Sequence, residues 1–455
     1  MVIVDTVIVG AGPGGLTLAH YLSGKGKRII VIDRESTIGG CHRVRRVNGY
    51  FTEHGPRIYV SSYFTLNDII KDIGKKWSDY FVDYLPVGKI SEPIFKVLTK
   101  NEIFAFAKAF VKFAIIGEKM INVSVYSFMV DSNFSKDSMR MIDRICRMTD
   151  GADSKRYTMY EFLNLINQNA FYKIQQPNRA LDKGLFPDWQ RFLESRGVDF
   201  MLGVGVMNIN NEDSITLTDE RIVTASKFYF TVPPENIVKI ARFSFDKNLF
   251  GEFNKLKEWS QLTRYNNYIP ITFHWDVAID LPVIWDYPQY DWGIMSIILS
   301  DFFKSGESKT LISTSLSVLD QPSQVTGKTA NETVDVDTLI AETFRQLQIS
   351  YPELPKYSRA ILSPGVYHNG QKWLTQDSAF MLTSDGYWTA ANKYPSIEWV
   401  GIHQGNSEYA FTAFQTACDN SLVALGMTPK RLWTILDVLK ILLLIFVIVI
   451  AKSIL

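Results

Sequence analysis

Residues 2–33 read VIVDTVIVGAGPGGLTLAHYLSGKGKRIIVID, a strand–turn–helix–strand pattern. Val2–Val9 alternates and then becomes continuously apolar, which predicts a buried strand, and the run RIIVI at 28–32 predicts a second one. The segment between the two runs predicts a glycine-rich turn followed by a helix. A β-α-β unit of about thirty residues is the minimum for half of a dinucleotide-binding domain. The sequence therefore predicts an α/β fold with a Rossmann-type domain.

The turn between the two strands carries the glycine pattern that binds a nucleotide pyrophosphate. Gly10 permits the tight turn, Gly12 lets the backbone approach the phosphates, and Gly15 lets the helix pack on the strand. Asp33 ends the second strand, where an acid binds the ribose hydroxyls. We expect the cofactor contacts of this unit to be Gly10, Gly12, Pro13, Gly14, Gly15 and Asp33. The glycines alone do not distinguish FAD from NAD.

The α/β pattern is interrupted twice and returns later in the chain. Mostly helical patterns follow the first unit, and strands and helices then alternate again, including one strand predicted over 198–209. The sequence predicts one nucleotide-binding domain assembled from three segments, 1–60, 184–240 and 395–428. An α+β substrate domain is predicted from 61–183 and 241–394.

Composition limits the classes of function. A net charge of +1 over 455 residues gives no attraction to nucleic acid. Cys41, Cys146 and Cys418 show no CxxC or metal-ligand spacing, and the six histidines are scattered, so we predict no metal site. Aromatic residues make up 13% of the chain, which favours a protein that handles an apolar molecule.

A longer stretch carries a resemblance to a known family. Residues 33–59, DRESTIGGCHRVRRVNGYFTEHGPRIY, resemble the extended FAD fingerprint of the flavin-containing amine oxidoreductase superfamily, which includes amine oxidases, protoporphyrinogen oxidase and phytoene desaturases. Segment 204–206 with the turn 231–234 is similar to the family's second FAD strand and its turn. Segment 399–401, followed by Tyr409 and 412–417, is similar to its C-terminal flavin motif. The resemblance implies FAD as the cofactor, with further contacts at Arg34, Gly39, Gly40, Arg43, Gly55, Pro56, Arg57, Val206, Gly401, His403, Tyr409 and Ala413.

The sequence departs from the family pattern at three places. Cys41 follows the Gly-Gly pair where the family usually has arginine, and His403 stands where it usually has an acid that contacts the cofactor. Thr416–Ala417 replaces a pair of small residues in the last helix. These differences put catalytic activity in question more than the fold.

The resemblance implies hydride transfer from a substrate carbon to flavin N5, with an amine or a lipophilic polyene or ring as the substrate. The protein then has to position the C–H bond and exclude water. Arg57 is a candidate for meeting an anionic substrate or the flavin edge, and its alternative is a structural surface arginine. Tyr387 and Trp388 are candidates for aromatic walls of the substrate site, and their alternative is core packing. These three are the candidate catalytic residues.

Two other functions fit the same resemblance. GPRIYVS, residues 55–61, also resembles a segment of UDP-galactopyranose mutases, which use reduced flavin as a nucleophile, although Arg57 and Val60 stand where those enzymes have histidines. The departures at Cys41 and His403 also fit a non-catalytic, membrane-associated structural protein on the same fold.

Two segments suggest contact with a membrane. Residues 441–451 are eleven apolar residues, and a helix over 432–455 would be long enough to cross a bilayer, so we predict a C-terminal membrane anchor helix there; a buried helix is the alternative. Lys430 and Arg431 favour placing the main domain on the cytoplasmic side. Residues 103–116 are apolar on most faces, which predicts either a core helix with Lys108 and Lys112 at its rim or a helix on a membrane surface.

Overall fold

The structure is a computed structural model, and it describes residues 2–84, 97–116, 120, 122–150, 153–169, 171–262, 264–265, 268–281, 291–304, 306–375, 381–382, 388, 393–403 and 413–442.

The largest element is a mixed seven-stranded sheet. Its strands are β1 Val2–Val9, β2 Ile29–Asp33, β8 Val198–Leu202, β9 Val206–Asn211, β10 Ser214–Leu217, β11 Ile222–Phe230 and β20 Ile397–Trp399. The order is β8-β2-β1-β11-β10-β9, and β20 also pairs with β11. All pairs among β8, β2, β1, β11 and β20 are parallel, whereas β10 is antiparallel to both of its neighbours. The sheet thus draws its strands from three separated parts of the chain.

The apolar runs predicted as buried strands are covered on both faces. Along β1, Ile8 belongs to the core on one side of the sheet, while its neighbours Val7 and Val9 belong to the core on the other side. Side chains of a strand alternate between the two faces, so a continuous apolar run is required when both faces are covered. The Rossmann-like α/β sheet predicted from the sequence is confirmed.

One predicted strand was wrong in its extent. The segment 198–209 forms two strands, β8 and β9, because the chain turns at Gly203, which has a φ of +78°. Glycine adopts this left-handed conformation without steric cost. The turn sends β8 to pair with β2 and β9 to pair with β10.

A second, four-stranded sheet lies outside the main one. It has the order β14-β15-β13-β16 and is antiparallel. Its strands are β13 Ile269–Trp275, β14 Ile294–Ile298, β15 Thr310–Leu316 and β16 Arg359–Leu362. It shares an apolar core with the helix α10, Val336–Leu347.

A separate helical unit follows the first β-α-β unit. It contains α3 Lys100–Val111, α4 Val125–Asp131, α5 Lys136–Asp150 and α6 Met159–Asn169, which share an apolar core of their own. At the start of α6, the Glu161 carboxylate accepts a hydrogen bond from the Thr158 N–H, and the Thr158 hydroxyl accepts one from the Glu161 N–H. Each bond satisfies a backbone N–H that the first helical turn leaves free.

The remaining elements connect or border these parts. The other helices are α1 Pro13–Leu22, α2 Phe64–Asp72, α7 Leu185–Ser195, α8 Pro234–Arg242, α9 Phe253–Leu262 and α11 Ala413–Ala424. The other strands are β3 Val44–Val47, β4 Tyr50–Glu53, β5 Tyr59–Val60, β6 Phe81–Asp83, β7 Ile174–Pro177, β12 Arg264–Tyr265, β17 Val366–His368, β18 Trp373–Thr375 and β19 Met381–Leu382.

The predicted anchor helix falls mainly on residues 443–455, which lie outside the described part of the chain. Among the described residues, no helix combines the length and the apolar character that crossing a bilayer would require. The anchor therefore stays a prediction.

Candidate functional site

A cleft of about 420 Å³ lies where β1, β2 and β11 end. This is the edge of a parallel sheet at which α/β proteins bind their ligands. Three separated parts of the chain line it, and they bring together most of the predicted cofactor contacts. Those in the lining are Gly10, Gly12, Pro13, Gly14, Asp33, Arg34, Gly40, Arg43, Val206, Gly401 and His403.

Neither the backbone conformation at Gly12 nor its contacts with the described residues require a glycine. Gly12 caps the N-terminus of α1 with a φ of −80°, which any residue adopts. A Cβ added there would meet its nearest heavy atom, the Gly40 Cα, at 3.6 Å, an ordinary contact. The free N–H groups of the first turn of α1 begin at this wall of the cleft. The absence of a side chain at Gly12 therefore keeps the wall open to a ligand.

The neighbouring glycines are required by the protein itself. A Cβ at Gly15 would lie 1.8 Å from the Gly10 carbonyl oxygen, so Gly15 allows α1 to pack on the turn and does not line the cleft. Gly40 has a φ of +56°, and a Cβ there would lie 2.9 Å from the Gly12 Cα. Gly39 also has a positive φ and faces Phe186, outside the cleft.

Asp33 is held in place by backbone donors. Its Oδ2 accepts a hydrogen bond from the Ala11 N–H at 2.7 Å, and its Oδ1 accepts one from the Glu35 N–H at 2.9 Å. Burial raises the pKa of Asp33, while Arg43 and these two N–H groups act in the opposite direction. The carboxyl group therefore joins the glycine turn to the end of β2, next to the cleft.

Two cleft residues carry buried polar atoms without a partner among the described residues. The first is Arg43, whose Nη2 makes no hydrogen bond and lies 3.5 Å from the Asp33 Oδ1, while its Nε donates to the Thr37 carbonyl. The second is His403, whose Nδ1 makes no hydrogen bond. Burial lowers the pKa of His403 to about 3, so its ring is neutral at physiological pH. Arg43 Nη2 and His403 Nδ1 are therefore available to donate to or accept from a ligand in the cleft.

A smaller cavity of about 20 Å³ lies beside Arg57 and Glu53. Arg57 also lies next to the thiol of Cys41, which lines the main cleft, so it stands between the two spaces. Burial raises the pKa of Glu53 to about 7, although Ser313 and Arg57 act to lower it. The Glu53 Oε1 is buried without a hydrogen-bond partner among the described residues. This acid was missed in the sequence, since no local pattern marks it.

The Ser315 hydroxyl is also buried, it has no hydrogen-bond partner in the described part of the chain, and it lies 3.5 Å from the position of a Cβ on Gly55. Gly55 and Pro56 do not line the main cleft. They connect β4 to Arg57, and Gly55 lies against Ser315 on β15 of the second sheet.

The aromatic wall predicted from Tyr387 and Trp388 is not seen in the described residues. The Trp388 indole donates a hydrogen bond to the Phe250 carbonyl at 2.8 Å and packs against the ring of Trp259. Trp388 is not among the residues that line the cleft, although its backbone N–H donates to the carbonyl of His403, which is. Its position is therefore one of core packing. Tyr387 and Tyr409 lie outside the described residues, and Ala413 begins α11 with its side chain undescribed. Within the described ranges, no group of three histidine, cysteine, aspartate or glutamate residues could hold a metal ion.

Known proteins resemble this chain in the region that contains the glycine turn and Asp33. Residues 8–73 match the model of the NAD(P)-binding Rossmann-like domain. The chain is 28% identical over 102 residues to a 4,4'-diapophytoene desaturase of Methylomonas sp, covering 22% of this chain and 19% of that protein. It is 31% identical over 75 residues to an L-amino-acid oxidase of Sistrurus catenatus edwardsii, covering 16% and 14%. It is 24% identical over 152 residues to a UDP-galactopyranose mutase of Mycoplasma genitalium, covering 30% and 33%.

The matched regions thus span between 14% and 33% of the length of these curated relatives. The likeness in fold extends much further. The solved structure of a putative protoporphyrinogen oxidase from Exiguobacterium sp. 255-15 covers 93% of this chain and 98% of its own, with a TM-score of 0.61 and 14% identity.

Proposed function

The chain belongs to the flavin-containing amine oxidoreductase superfamily, and on that basis we propose that it is an FAD-dependent oxidoreductase that takes a hydride from an amine or a lipophilic substrate. The observation that carries the proposal is the bare backbone of Gly12 in the cleft wall. None of the described residues requires a glycine there, and a missing side chain would let a ligand approach the start of α1.

The residues around the cleft fit FAD. Gly12 and the free N–H groups of α1 would hold the pyrophosphate, and Arg43 Nη2 would donate to it. Asp33 would accept from the ribose hydroxyls. The start of α11 would favour the negative charge that a reduced flavin gathers at its pyrimidine end. Bound FAD would supply the acceptor for the hydride.

The proposal assigns the segments of the chain to two domains. Segments 1–60, 184–240 and 395–428 would form the FAD-binding domain, and 61–183 with 241–394 would form the substrate domain. Arg57 stands between the main cleft and the smaller cavity, so it would contact an anionic group of the flavin or of the substrate. For residues 432–455 we retain the proposal of a membrane anchor, with the main domain on the cytoplasmic side.

The test is an absorbance spectrum of the purified protein, before and after reconstitution with FAD, followed by anaerobic addition of amines, polyenes and ring compounds. The proposal expects oxidised-flavin absorbance that one of these compounds bleaches. Protein that takes up no FAD refutes the cofactor assignment, whereas FAD that no compound reduces favours the non-catalytic alternative.

The match to a UDP-galactopyranose mutase supports a second candidate, in which reduced flavin acts without net redox change. Arg57 and Val60, in place of that family's histidines, weigh against it. Turnover of UDP-galactopyranose only after prior reduction of the flavin would establish it.

A further inference from the structure

The outer face of α3 is apolar, although it faces solvent. Phe104 is 71% exposed, Val111 47% and Ile103 37%, and Ala107 is exposed as well. At 100° per residue, these four positions fall within a sector of about 100° on one side of the helix. Single exposed apolar residues are ordinary on protein surfaces, but a continuous apolar stripe marks a contact surface. We call these four residues the α3 stripe.

The opposite face of α3 is fully used in packing, so the stripe is not a misplaced core face. Phe106 contacts the rings of Phe128, Phe134 and Phe162, with ring centroids 5.1 to 5.6 Å apart. Glu102 is buried and accepts hydrogen bonds from the backbone N–H groups of Thr99 and Ser135, each at 2.6 Å. The helix is thus fixed to its unit and presents the stripe outward.

The exposed charged side chains of α3 itself are positive. Lys100 and Lys108 are exposed at the border of the stripe, and the one carboxylate of α3, Glu102, points into the protein. Apolar side chains bordered by lysines are the composition of helices that lie in the interface of an anionic bilayer. A protein partner would equally bury the apolar residues, but the absence of any acid on this face favours a surface that is uniformly negative.

A second apolar segment leaves the same helical unit. Leu436 packs against the core of that unit, and its N–H donates to the Asn167 Oδ1 at 3.0 Å. Beyond it, Ile441 and Leu442 are exposed, and the chain continues as LLIFVIVIAKSIL over 443–455. Among the described residues, this part of the molecule therefore exposes two apolar features, the α3 stripe and the pair Ile441 and Leu442.

We propose that the helical unit docks on a membrane surface containing anionic lipids, with the α3 stripe inserted among the headgroups. This inference does not depend on the proposed flavin chemistry. The sequence predicted either a core helix or a helix on a membrane surface for this segment. The proposal gives α3 both roles, with its inner face packed in the core and its outer face against lipid.

The test compares full-length wild-type protein with Phe104→Ser in co-sedimentation with vesicles of phosphatidylcholine alone and with added phosphatidylserine. Phe243→Ser is the matched control, since Phe243 is 66% exposed and follows α8, far from α3 in the sequence. Loss of one inserted phenylalanine should weaken partition into anionic vesicles roughly tenfold or more, and the control should bind as the wild type does. Lys108→Gln should weaken binding only to the anionic vesicles.

A polarity-sensitive fluorophore gives a second readout. Attached at Phe104→Cys it should shift to the blue when anionic vesicles are added, whereas at Phe243→Cys it should not; labelled wild-type protein reports the background from Cys41. Equal vesicle binding by the two serine variants, or an unchanged spectrum at position 104, would overturn the proposal. So would a wild-type dimer that Phe104→Ser converts to a monomer without loss of lipid binding, since the stripe would then serve self-association.

Discussion

Replacing Gly12 with alanine separates the role of this residue in ligand binding from any role in folding. The new Cβ would meet the Gly40 Cα at 3.6 Å, and the backbone φ of −80° suits alanine. The fold should therefore be retained, and a small gain of up to about 1 kcal/mol is expected, because alanine restricts the unfolded chain. The ligand-free variant should unfold within a few degrees of the wild type.

The substitution should instead weaken the binding of FAD. A methyl group extends about 1.5 Å from the backbone and has to stay about 3.5 Å from other atoms, so a phosphate resting against Gly12 must retreat. Hydrogen bonds from backbone N–H groups to a charged phosphate contribute about 1.5–3 kcal/mol each, and they weaken steeply with misalignment. Weakening one of them predicts a dissociation constant at least about tenfold higher, which is about 1.4 kcal/mol.

The assay is FAD titration of the ligand-free protein by calorimetry, with thermal unfolding recorded at each FAD concentration. The wild type should gain more stability from a given FAD concentration than Gly12→Ala does, since the gain depends on the ratio of ligand to dissociation constant. Gly15→Ala is the contrasting control. Its Cβ would lie 1.8 Å from the Gly10 carbonyl oxygen, so it should destabilise the protein even without FAD. Wild-type FAD affinity in a folded Gly12→Ala protein would refute the assignment of the cleft.

Two further predictions concern buried ionisable groups. Burial raises the pKa of Glu53 to about 7, so the folded state binds this proton more tightly than the unfolded state, and stability is lost as the pH rises from about 4.5 through 7. Glu53→Gln should therefore be more stable than the wild type at pH 8, by about 1–3 kcal/mol in urea unfolding, and should lose that advantage near pH 5; an equal difference at both pH values would contradict it. Burial lowers the pKa of His403 to about 3, so the unfolded state binds a proton that the folded state excludes, and stability falls as the pH drops from about 6.5 towards 3. His403→Asn should make this fall shallower by up to about 1.4 kcal/mol per pH unit, measured by urea unfolding between pH 7 and 5, and an unchanged slope would show that the ring is protonated in the fold.

The sequence was most informative where local pattern decides structure. The apolar runs of β1 and β2 predicted a parallel sheet because both faces of such strands are covered, and the glycines predicted the turn because few residues fit it. The break at Gly203 was missed because neither Gly203 nor Gly205 by itself reveals a positive φ within an apolar run. For Trp388 the sequence left both a substrate wall and core packing open, and the structure packs it on Trp259 and Phe250. These contacts join residues that are far apart in the sequence, so no local periodicity indicates them.

Glu53 shows the same limit at the site. Its environment combines β4, which carries it, with Ser313 on β15 and with Arg57. None of these residues is unusual for its own segment, and only the assembled fold encloses the carboxyl group. The raised pKa is thus a property of the tertiary structure, and a sequence pattern could not have indicated it.

The two departures from the family pattern at the cleft have different physical consequences. Cys41 removes the usual arginine after the Gly-Gly pair, but the guanidinium of Arg57 lies beside the Cys41 thiol, so a positive charge is still present there. His403 replaces an acid, and because burial keeps its ring neutral, the cleft loses a negative charge without gaining a positive one. A guanidinium beside residue 41 and a neutral ring at residue 403 both allow a pyrophosphate in the cleft. Cys41 and His403 therefore bear on catalytic activity more than on the binding of a dinucleotide. An altered reaction would originate where Arg57 contacts the substrate.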